Sequence, residues 1–455
     1  MKKLWIIILL LFPLLSLRAE SVPATAGVAS TEPASQFALR AAQGGSLETI
    51  NGVRVLKLKG VRISDRGFAH GYLLAPDIRD CLEDALKGLP FFSAEKFTKS
   101  LVPWATKKFD WDPDAREELQ GLWEGLKARL TEDAIASGNP KYQPLFSERL
   151  GRDLTADDLY ALSAIGDYFG PACSGFTVSG ALTQDGQVIH GRNLDFPIGP
   201  KANMKQIVIA SYPIPEHKGW RPIPGGEEFP HIPAQQGWVG IGWPGLIAIY
   251  SAMNEKGLTC CLHDANNVIK GGAQDHFVPR GLLLRRMVES IDPYAGDPAL
   301  AAQKMAAEKP VACGNLFHLS WPKDAAEKTK TTPAAVLEFD SASRKAGTLD
   351  GVSIRRMDNT GRLVLTNHYC VRAEAQECKR FSSINQAVDL FTQDGKTIGE
   401  AEARKILISA EMPLAAHSVV FWPDARTFYV SFTRGNLLST RAAEKKMELK
   451  ELLKP

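Results

Sequence analysis

The most constraining feature of the chain is a segment near its middle that reads as a β-hairpin beginning at Cys173. Alternate residues along 176–182 share one strand face, Asp185-Gly186 has the composition of a tight turn, and residues 188–194 form the return strand. Three polar side chains lie at the end of the return strand: Arg192, Asn193 and Asp195. The hairpin therefore brings a thiol, a guanidinium and a carboxylate to its open end.

These three groups can activate a nucleophile. A thiol must lose its proton, from a pKa of about 8.5, before it attacks an amide carbonyl. Arg192 can favour the thiolate by its charge, and a free α-amine on Cys173 can serve as the base. Such an amine requires cleavage of the Ala172–Cys173 bond. Taken singly, Cys173 could be a structural thiol, and Arg192 with Asp195 an ordinary ion pair.

The register of the hairpin is the geometric test of this hypothesis. An ideal two-residue turn at 185–186 pairs Cys173 with residue 198. Asp195 then lies three residues before the position opposite Cys173, roughly 10 Å away along the strand. The sequence therefore predicts a bulge or a longer loop that returns Asp195 to Cys173.

The pattern resembles the N-terminal nucleophile (Ntn) hydrolase superfamily. More closely, it looks like the branch that holds penicillin acyltransferases, bile salt hydrolases, acid ceramidase and N-acylethanolamine amidase. In that branch the nucleophilic cysteine is followed by an arginine and, three residues later, an aspartate. Arg192 and Asp195 match these positions, although their distance from Cys173 is a few residues longer than usual.

Two further matches lie almost 200 residues downstream. Asn367 stands in a Thr-Asn pair of the kind in which the family places its oxyanion-hole asparagine. Arg380 lies where acid ceramidase-like members carry a second active-site arginine. The resemblance implies that His368 only lines the site, because the α-amine acts as the base. It covers about residues 173–435, and the preceding helical part matches only in length and position.

The resemblance implies an α+β fold, a four-layer αββα Ntn sandwich preceded by an α-helical prosegment. We expect a signal peptide at 1–26, a flexible leader and helical prosegment at 27–172 (the α subunit), and the catalytic part at 173–455 (the β subunit). Autocleavage between Ala172 and Cys173 would free the nucleophile. The cleaved prosegment is expected to stay bound as the partner of the catalytic part.

Hydrophobic periodicity gives a coarse map of the elements. It predicts helices through 77–168, and two short strands around Gly67 and Gly71 within 53–78. Further strands are predicted at 207–212, 246–253, 258–262, 334–339, 363–366, 418–422 and 427–432. Further helices are predicted at 279–291, 295–308, 382–391, 397–410 and 441–453. Residues 20–45 have the composition of a flexible leader.

The N-terminus is typical of a secretory signal peptide. Three residues, Met-Lys-Lys, precede the apolar stretch 4–17. Cleavage can follow Ala19 or Ala26. The alternative is an uncleaved anchor, for which about 14 apolar residues are short of the ~20 that span a bilayer. We therefore expect a periplasmic or secreted protein.

Charge and cysteine content exclude some classes of partner. A formal net charge of +3 over 455 residues, without a basic tract, gives no reason to expect nucleic acid. The spacing of the seven cysteines does not resemble a zinc site. Their odd number leaves at least one thiol unpaired. Cys370 and Cys378 bracket a polar loop and are candidates for a disulfide. The resemblance implies no metal and no organic cofactor.

The expected activity is hydrolysis of a linear amide, or acyl transfer to an amine, through an acyl-enzyme on Cys173. Its substrate would be an N-acyl amino acid, an acylated amine, a peptide or a lipid amide. Two alternatives stay open: an ester hydrolase like the phospholipase B-like proteins, and an exported binding protein without catalysis. A papain-like protease is disfavoured because Cys173 begins a strand. Four aromatic residues could line an acyl pocket or pack in the core: Phe196, Trp238, Trp243 and Phe317.

Overall fold

The computed structural model describes most of the chain after its N-terminal segment. The described residues are 35–88, 93–196, 198–215, 221–222, 228–229, 234–265, 276–308, 310–340, 351–373 and 376–454. The predicted signal peptide and most of the predicted leader lie outside them. Among these residues no helix combines the length and apolar character needed to cross a membrane.

The elements are numbered here in chain order. The helices are α1 Gln36–Gly44, α2 Ile63–Leu73, α3 Ala75–Gly88, α4 Ala94–Lys96, α5 Val102–Lys107, α6 Pro113–Ser137, α7 Ala156–Ser163, α8 Ile165–Tyr168, α9 Pro200–Met204, α10 Arg280–Ser290, α11 Pro298–Glu308, α12 Lys323–Thr329, α13 Lys379–Thr392, α14 Glu400–Ser409 and α15 Leu449–Leu452. The strands are β1 Gly45–Ile50, β2 Val53–Leu58, β3 Phe146–Ser147, β4 Arg152–Asp153, β5 Ala172–Gly180, β6 Gly186–Asp195, β7 Ile207–Ser211, β8 Arg221–Pro222, β9 Glu228–Phe229, β10 Trp238–Gly242, β11 Ser251–Asn254, β12 Thr259–Asp264, β13 Asn315–Ser320, β14 Ala334–Phe339, β15 Val352–Arg356, β16 Arg362–Leu365, β17 Ala415–Trp422, β18 Thr427–Phe432 and β19 Lys445–Glu448. A π-helical turn, Phe97–Leu101, joins α4 to α5.

Two large sheets organise these strands. The first has nine strands in the order β1-β2-β7-β10-β11-β12-β13-β14-β15, and the second has six in the order β16-β5-β6-β17-β18-β19. Within both sheets every described neighbour pair is antiparallel except β2 and β7, which run parallel. The hairpin that contains Cys173 is β5–β6, whose two strands are both internal to the six-stranded sheet.

The sheets stack face to face between two helical layers. Val55, Val208 and Val239 of the nine-stranded sheet share a buried core with Val419 and Val430 of the six-stranded sheet. Helices α13 and α14 cover the other face of the six-stranded sheet. Helices α10 and α11 cover the other face of the nine-stranded sheet. This helix–sheet–sheet–helix order confirms the predicted αββα sandwich.

A close pair of helices, α2 and α6, characterises the N-terminal part. Each helix presents two glycines to the other, and a Cβ on any of the four would overlap a backbone carbonyl across the interface. The pairs are Gly67 against Glu118, Gly71 against Leu122, Gly121 against Ser64 and Gly125 against Phe68. Glycine is therefore required here for close backbone approach.

We expect Gly121→Ala to lower the free energy of unfolding by about 3 kcal/mol, because the added methyl group must separate two packed backbones. Gly296→Ala is the matched control, since a Cβ there meets nothing within 4 Å. Its effect should stay within about 0.5 kcal/mol. Urea unfolding of both variants measures the difference. Equal stabilities would show that the interface tolerates a wider spacing.

Several predicted elements were wrong in ways that have physical causes. Residues 63–73 form helix α2 rather than a strand, because Gly67 and Gly71 provide a packing face instead of a turn. The end of the predicted leader forms α1. Of the predicted helix 441–453 only Leu449–Leu452 is helical, and Lys445–Glu448 is strand β19, which pairs with β18. The β2 strand and helices α3 to α8 agree with prediction, whereas residues 138–155, predicted to be helical, form loops and the short strands β3 and β4.

Candidate active site

The β5–β6 register brings Asp195 to the nucleophile. Cys173 pairs with Leu194, and Ala172 pairs with Asp195. The Asp185-Gly186 turn forms as predicted, with positive φ at both residues. Pairing shifts between Val178 and Gly180, and the tip is longer than two residues. The extra loop is the feature that the sequence argument required.

The Cys173 side chain is fully buried and faces polar groups. Its Sγ lies 3.2 Å from Arg192 Nη2, 3.6 Å from the Leu262 carbonyl oxygen and 3.7 Å from that of Pro171. Its backbone N–H donates to Asn367 Oδ1 at 2.9 Å. The nucleophile candidate therefore sits in a defined polar cage that is closed to solvent while Ala172 precedes it.

Arg192 is a fully buried cation on β6. Besides the thiol, it donates to the Leu262 carbonyl at 2.8 Å and to Ser251 Oγ at 2.6 Å, and its Nη1 lies 3.1 Å from His417 Nε2. Among the described residues no carboxylate lies within ion-pair distance of it. Burying a guanidinium without an anion is costly. The group in direct contact that can become an anion is the Cys173 thiol.

Arg380 joins the remaining predicted residues. From the first turn of α13 it donates to the Cys173 carbonyl at 2.7 Å, to Asn367 Oδ1 at 2.8 Å and to Asp195 Oδ2 at 3.3 Å. The partner of the Asp195 carboxylate is thus Arg380 rather than Arg192, whereas the sequence argument allowed Arg192. Asp195 Oδ1 is buried without a hydrogen bond in the described structure.

The Asn367 side chain accepts a hydrogen bond from the Cys173 backbone N–H through Oδ1, and its Nδ2 faces backbone carbonyl groups. Its Nδ2 donates to the Asp264 carbonyl at 2.8 Å and lies 3.5 Å from the Pro171 carbonyl. The amide N–H that was predicted to bind an oxyanion therefore faces the chain just before the nucleophile. The structure brings together all five residues proposed from sequence: Cys173, Arg192, Asp195, Asn367 and Arg380.

Burial dominates the electrostatics of the uncleaved site. It raises the pKa of the Cys173 thiol, and the opposing charge of Arg192 offsets this only in part. Burial likewise raises the pKa of Asp195 to about 7, against the charges of Arg380 and Arg192. The sequence argument had Arg192 lower the thiol pKa outright. Before cleavage, desolvation outweighs it, and the thiol is held neutral.

Sequence reasoning missed a network behind Arg192. Ser251 Oγ lies 2.9 Å from His417 Nε2, and His417 Nδ1 lies 2.7 Å from Gln206 Oε1. These residues come from three separate strands or loops. No sequence spacing links them, because the two stacked sheets bring them together only on folding.

A second connection holds the segment that precedes the nucleophile. Arg280 forms an ion pair with Asp264 at 2.7 Å and also donates to the Gly166 carbonyl. Its backbone N–H donates to Asp167 Oδ1 at 3.1 Å. Arg280 therefore links α8 to β12, the strand whose Asp264 carbonyl accepts the hydrogen bond from Asn367.

A polar layer of histidines lies between the sheets, near Arg192. His190 Nδ1 contacts Thr259 Oγ1 at 2.9 Å, and His318 Nε2 contacts Thr177 Oγ1 at 2.7 Å. Burial lowers the pKa of His190 to about 3. His190 is therefore neutral and fully buried inside the sandwich.

The four aromatic residues proposed as an acyl pocket are all buried. Phe196 and Trp243 pack edge to face, with ring centroids 5.9 Å apart. In the uncleaved chain they pack in the core. Within the described residues no cluster of three or more His, Cys, Asp or Glu side chains is arranged to hold a metal ion.

Comparisons with known proteins give only distant structural similarities. No protein-family model matches the chain, and no curated protein matches it. An N-acylethanolamine-hydrolyzing acid amidase ortholog of Caenorhabditis elegans is 14% identical, over 55% of this chain and 93% of that chain, with a TM-score of 0.37. A mutant of conjugated bile acid hydrolase from Clostridium perfringens is 12% identical, over 62% of this chain and 94% of that chain, with a TM-score of 0.40. Penicillin V acylase from Agrobacterium tumefaciens is 13% identical, over 61% of this chain and 91% of that chain, with a TM-score of 0.37.

These neighbours are enzymes of the kinds that the sequence resemblance named, but identities and TM-scores this low assign no activity. The layers of the structure itself decide the fold, because two stacked sheets lie between two helical layers and Cys173 is the second residue of an internal strand, β5. The chain has an αββα sandwich fold. What a site of this kind would do depends on the contacts of Cys173.

Proposed function

We propose that the chain is an autoprocessing cysteine amidohydrolase or acyltransferase that acts on linear amides through a Cys173 acyl-enzyme. The observation that supports this most is the buried Arg192 guanidinium, which contacts the Cys173 thiol and has no carboxylate within ion-pair distance among the described residues. A thiolate would be its counter-ion. Arg380 and Asn367 fix the backbone carbonyl and N–H of the same residue.

The first step is cleavage of the Ala172–Cys173 bond. The Cys173 sulfur attacks the Ala172 carbonyl carbon, the C–N bond breaks, and the released nitrogen takes up a proton. Water then hydrolyses the thioester, leaving a carboxylate on Ala172 and a free thiol. The new α-amine, with an ordinary pKa of about 7.8, can accept a proton near neutral pH.

The freed nitrogen already has one hydrogen-bond partner, and a second acceptor lies on a neighbouring residue of the ladder. Asn367 Oδ1 accepts a hydrogen bond from it in the uncleaved chain. The unpartnered Asp195 Oδ1 belongs to the residue paired with Ala172, next to Cys173 on the ladder. These two oxygens can orient the α-amine toward the thiol. The amine then acts as the base when the thiol attacks a substrate carbonyl.

Removal of the preceding segment also frees an oxyanion donor. Asn367 Nδ2 reaches toward the Pro171 carbonyl before cleavage. Once Pro171 and Ala172 withdraw, this N–H can donate to the oxyanion of a bound substrate. Collapse of the tetrahedral intermediate expels the amine and leaves a thioester on Cys173. Water completes hydrolysis, and a second amine completes acyl transfer.

The prosegment is expected to remain bound after cleavage. Leu82, Leu119 and Leu159 of the N-terminal helices belong to the same buried core as Leu262 and Leu283 of the catalytic part. Separating the pieces would expose that core to water. Cleavage at Cys173 should therefore yield two fragments that elute together in size-exclusion chromatography. Export by the predicted signal peptide is part of this proposal, and N-terminal sequencing of the mature protein tests it.

The direct test is to mix the purified protein with matched amide and ester substrates that share one acyl group. Turnover of the amide with an acyl adduct on Cys173, and a fragment whose N-terminus is Cys173, would support the proposal. Turnover of the ester alone would favour the phospholipase B-like alternative. An intact chain that turns over neither substrate would favour a binding protein and contradict the proposal.

We expect Asn367→Ala to lower kcat by about 10²–10³-fold, because one oxyanion donor is removed. Asn385→Ala is the control, since Asn385 lies on α13 and donates to the Phe381 carbonyl away from the nucleophile. Its kcat should stay within about twofold of the parent protein. Steady-state kinetics of both variants, on protein whose cleavage has been verified, separates this effect from a processing defect. Equal kcat values would remove Asn367 from the oxyanion site.

A further inference from the structure

A second group of reactive side chains lies beside the nucleophile but takes no part in the mechanism above. Thr366 Oγ1 is 3.0 Å from His368 Nδ1 and 3.3 Å from Cys378 Sγ. The thiols of Cys370 and Cys378 both interact electrostatically with the His368 imidazole. Two thiols therefore lie around one imidazole ring.

Both cysteines are reduced and partly exposed in the structure. The disulfide that the sequence allowed between them is thus absent here. The backbone N–H of Cys370 and those of the next two residues donate to the Glu338 carboxylate at 3.0, 2.9 and 3.1 Å. Cys378 directly precedes α13. Each sulfur is attached to an anchored backbone.

The electrostatics of this group differ from those of other thiols in the chain. Contact with His368 lowers the pKa of Cys378 to about 6, with smaller contributions from Thr366 and the Phe381 backbone amide. Contacts with the two thiols raise the pKa of His368 to about 9. At neutral pH the pair is a thiolate and an imidazolium. Burial instead raises the pKa of Cys313 to about 12.

We propose that Cys378 and Cys370, with His368 between them, form a thiol–disulfide exchange site that reacts with small-molecule disulfides. Three observations carry this: two partly exposed thiols share one imidazole, the imidazole is itself oriented by Thr366, and both thiols have fixed backbones. The site is separate from the acyl chemistry of Cys173. It does not depend on the proposed function.

The exchange balances without any further reagent. The Cys378 thiolate attacks one sulfur of the small disulfide, forms a mixed disulfide and expels a thiolate, which takes up a proton. Loss of the negative charge on Cys378 lets His368 give up its extra proton and then accept one from Cys370. Cys370 attacks Cys378 Sγ, and a second small thiol leaves. Two protein thiols are oxidised and one small disulfide is reduced.

Oxidation of this site can affect the active site because the two sites share chain segments. Thr366 immediately precedes Asn367, and Cys378 lies two residues before Arg380. A Cys370–Cys378 bond would therefore cross-link the loop after Asn367 to the start of the helix that carries Arg380. Those two side chains hold the backbone N–H and carbonyl of Cys173.

The test uses the full-length Cys173→Ala protein, so that the nucleophile does not compete, and oxidised glutathione as the probe. Peptide mass spectrometry should find a Cys370–Cys378 disulfide and no glutathione adduct at completion. In the Cys370→Ser variant a glutathione adduct should accumulate on Cys378. If Cys378 gains glutathione no faster than Cys313, or if no Cys370–Cys378 bond forms, the proposal is overturned.

The role of the imidazole is tested by His368→Gln. At pH 6 the rate of iodoacetamide alkylation at Cys378 should fall at least about 10-fold, because the thiolate fraction drops as the pKa returns toward its usual range. At pH 9 the two proteins should differ by less than about threefold, since both thiols are then largely ionised. An equal loss at both pH values would indicate misfolding rather than loss of thiolate stabilisation and would contradict this role. A circular dichroism spectrum of the variant provides the independent check of folding.

Discussion

Cys173→Ala is expected to abolish amide hydrolysis, by about 10⁴-fold or more, and to leave the chain in one piece. Both losses have one cause, because the same sulfur cleaves the Ala172–Cys173 bond and later attacks the substrate. Without it Arg192 keeps its contacts with the Leu262 carbonyl and Ser251 but has no group that can become its counter-ion. Kinetics on the amide substrate and intact-protein mass spectrometry measure the two losses.

Cys173→Ser and Cys81→Ala sharpen this test. Serine keeps an attacking atom at the same place but ionises far less readily, so slow cleavage and residual turnover are expected. Cys81 is a buried thiol on α3, and burial raises its pKa to about 12. Cys81→Ala should process and turn over at the parent rate when folded. Normal cleavage in Cys173→Ala would contradict autoprocessing by this residue.

The second large expected effect is a fall in the free energy of unfolding at acidic pH. Burial lowers the pKa of five histidines well below the ordinary 6.5, and each must stay neutral in the folded chain. They are His70, His190, His263, His318 and His417. In the unfolded chain each takes up a proton as the pH falls through about 6.5. Their contribution to stability is therefore present above pH 6.5 and is lost below it.

Buried carboxyl groups act in the opposite direction: burial raises the pKa of Glu118 and Glu444, and most of all that of Asp167 and Asp195. Burial raises the pKa of Asp167 and of Asp195 to about 7, so the folded chain retains their protons where the unfolded chain has lost them. Their stabilisation is present at low pH and is lost as the pH rises through 7. Near pH 5.5 the protons taken up by the five histidines on unfolding outnumber those released by the buried carboxyl groups. Unfolding should take up roughly two to three protons, or about 3–4 kcal/mol per pH unit.

Urea unfolding at pH 7.5, 6.5 and 5.5, followed by tryptophan fluorescence, measures this slope. His263→Asn should reduce it by about one proton, because both ring nitrogens of His263 lack a hydrogen bond in the described structure and no pairing is lost. Gly296→Ala, which changes no titratable group, should leave the slope unchanged. Stability that is flat between pH 7.5 and 5.5 would contradict neutral burial of these rings.

The sequence predicted which residues gather around Cys173 but not all of the contacts between them. Asn367 and Arg380 could be placed from the family resemblance, Asn367 by its Thr-Asn pair and Arg380 by its position after it, although neither lies near Cys173 in the chain. The partner of Asp195 could not be placed, because it depends on the first turn of α13 reaching over the β5–β6 ladder. The effect of burial on the Cys173 pKa was also inaccessible, since sequence does not report desolvation.

Element predictions failed where local sequence is ambiguous. Gly67 and Gly71 are four residues apart, which suits a turn-rich segment and a helix-packing face equally well. Only the matching glycines of α6 decide between them, and they lie some fifty residues away. Strands β10 and β13 were missed because they are buried on both faces and lack the alternation that marks a half-buried strand.

The parallel pairing of β2 with β7 has a consequence for the mature protein. If the chain is cut at Cys173, this pairing joins two separate polypeptides, and the first supplies the last two strands of the larger sheet. Without that polypeptide β7 would become a bare edge whose unpaired amide and carbonyl groups invite other chains. The prosegment therefore continues to cover the edge of the larger sheet after cleavage. Loss of the prosegment should cause aggregation before it changes the catalytic activity.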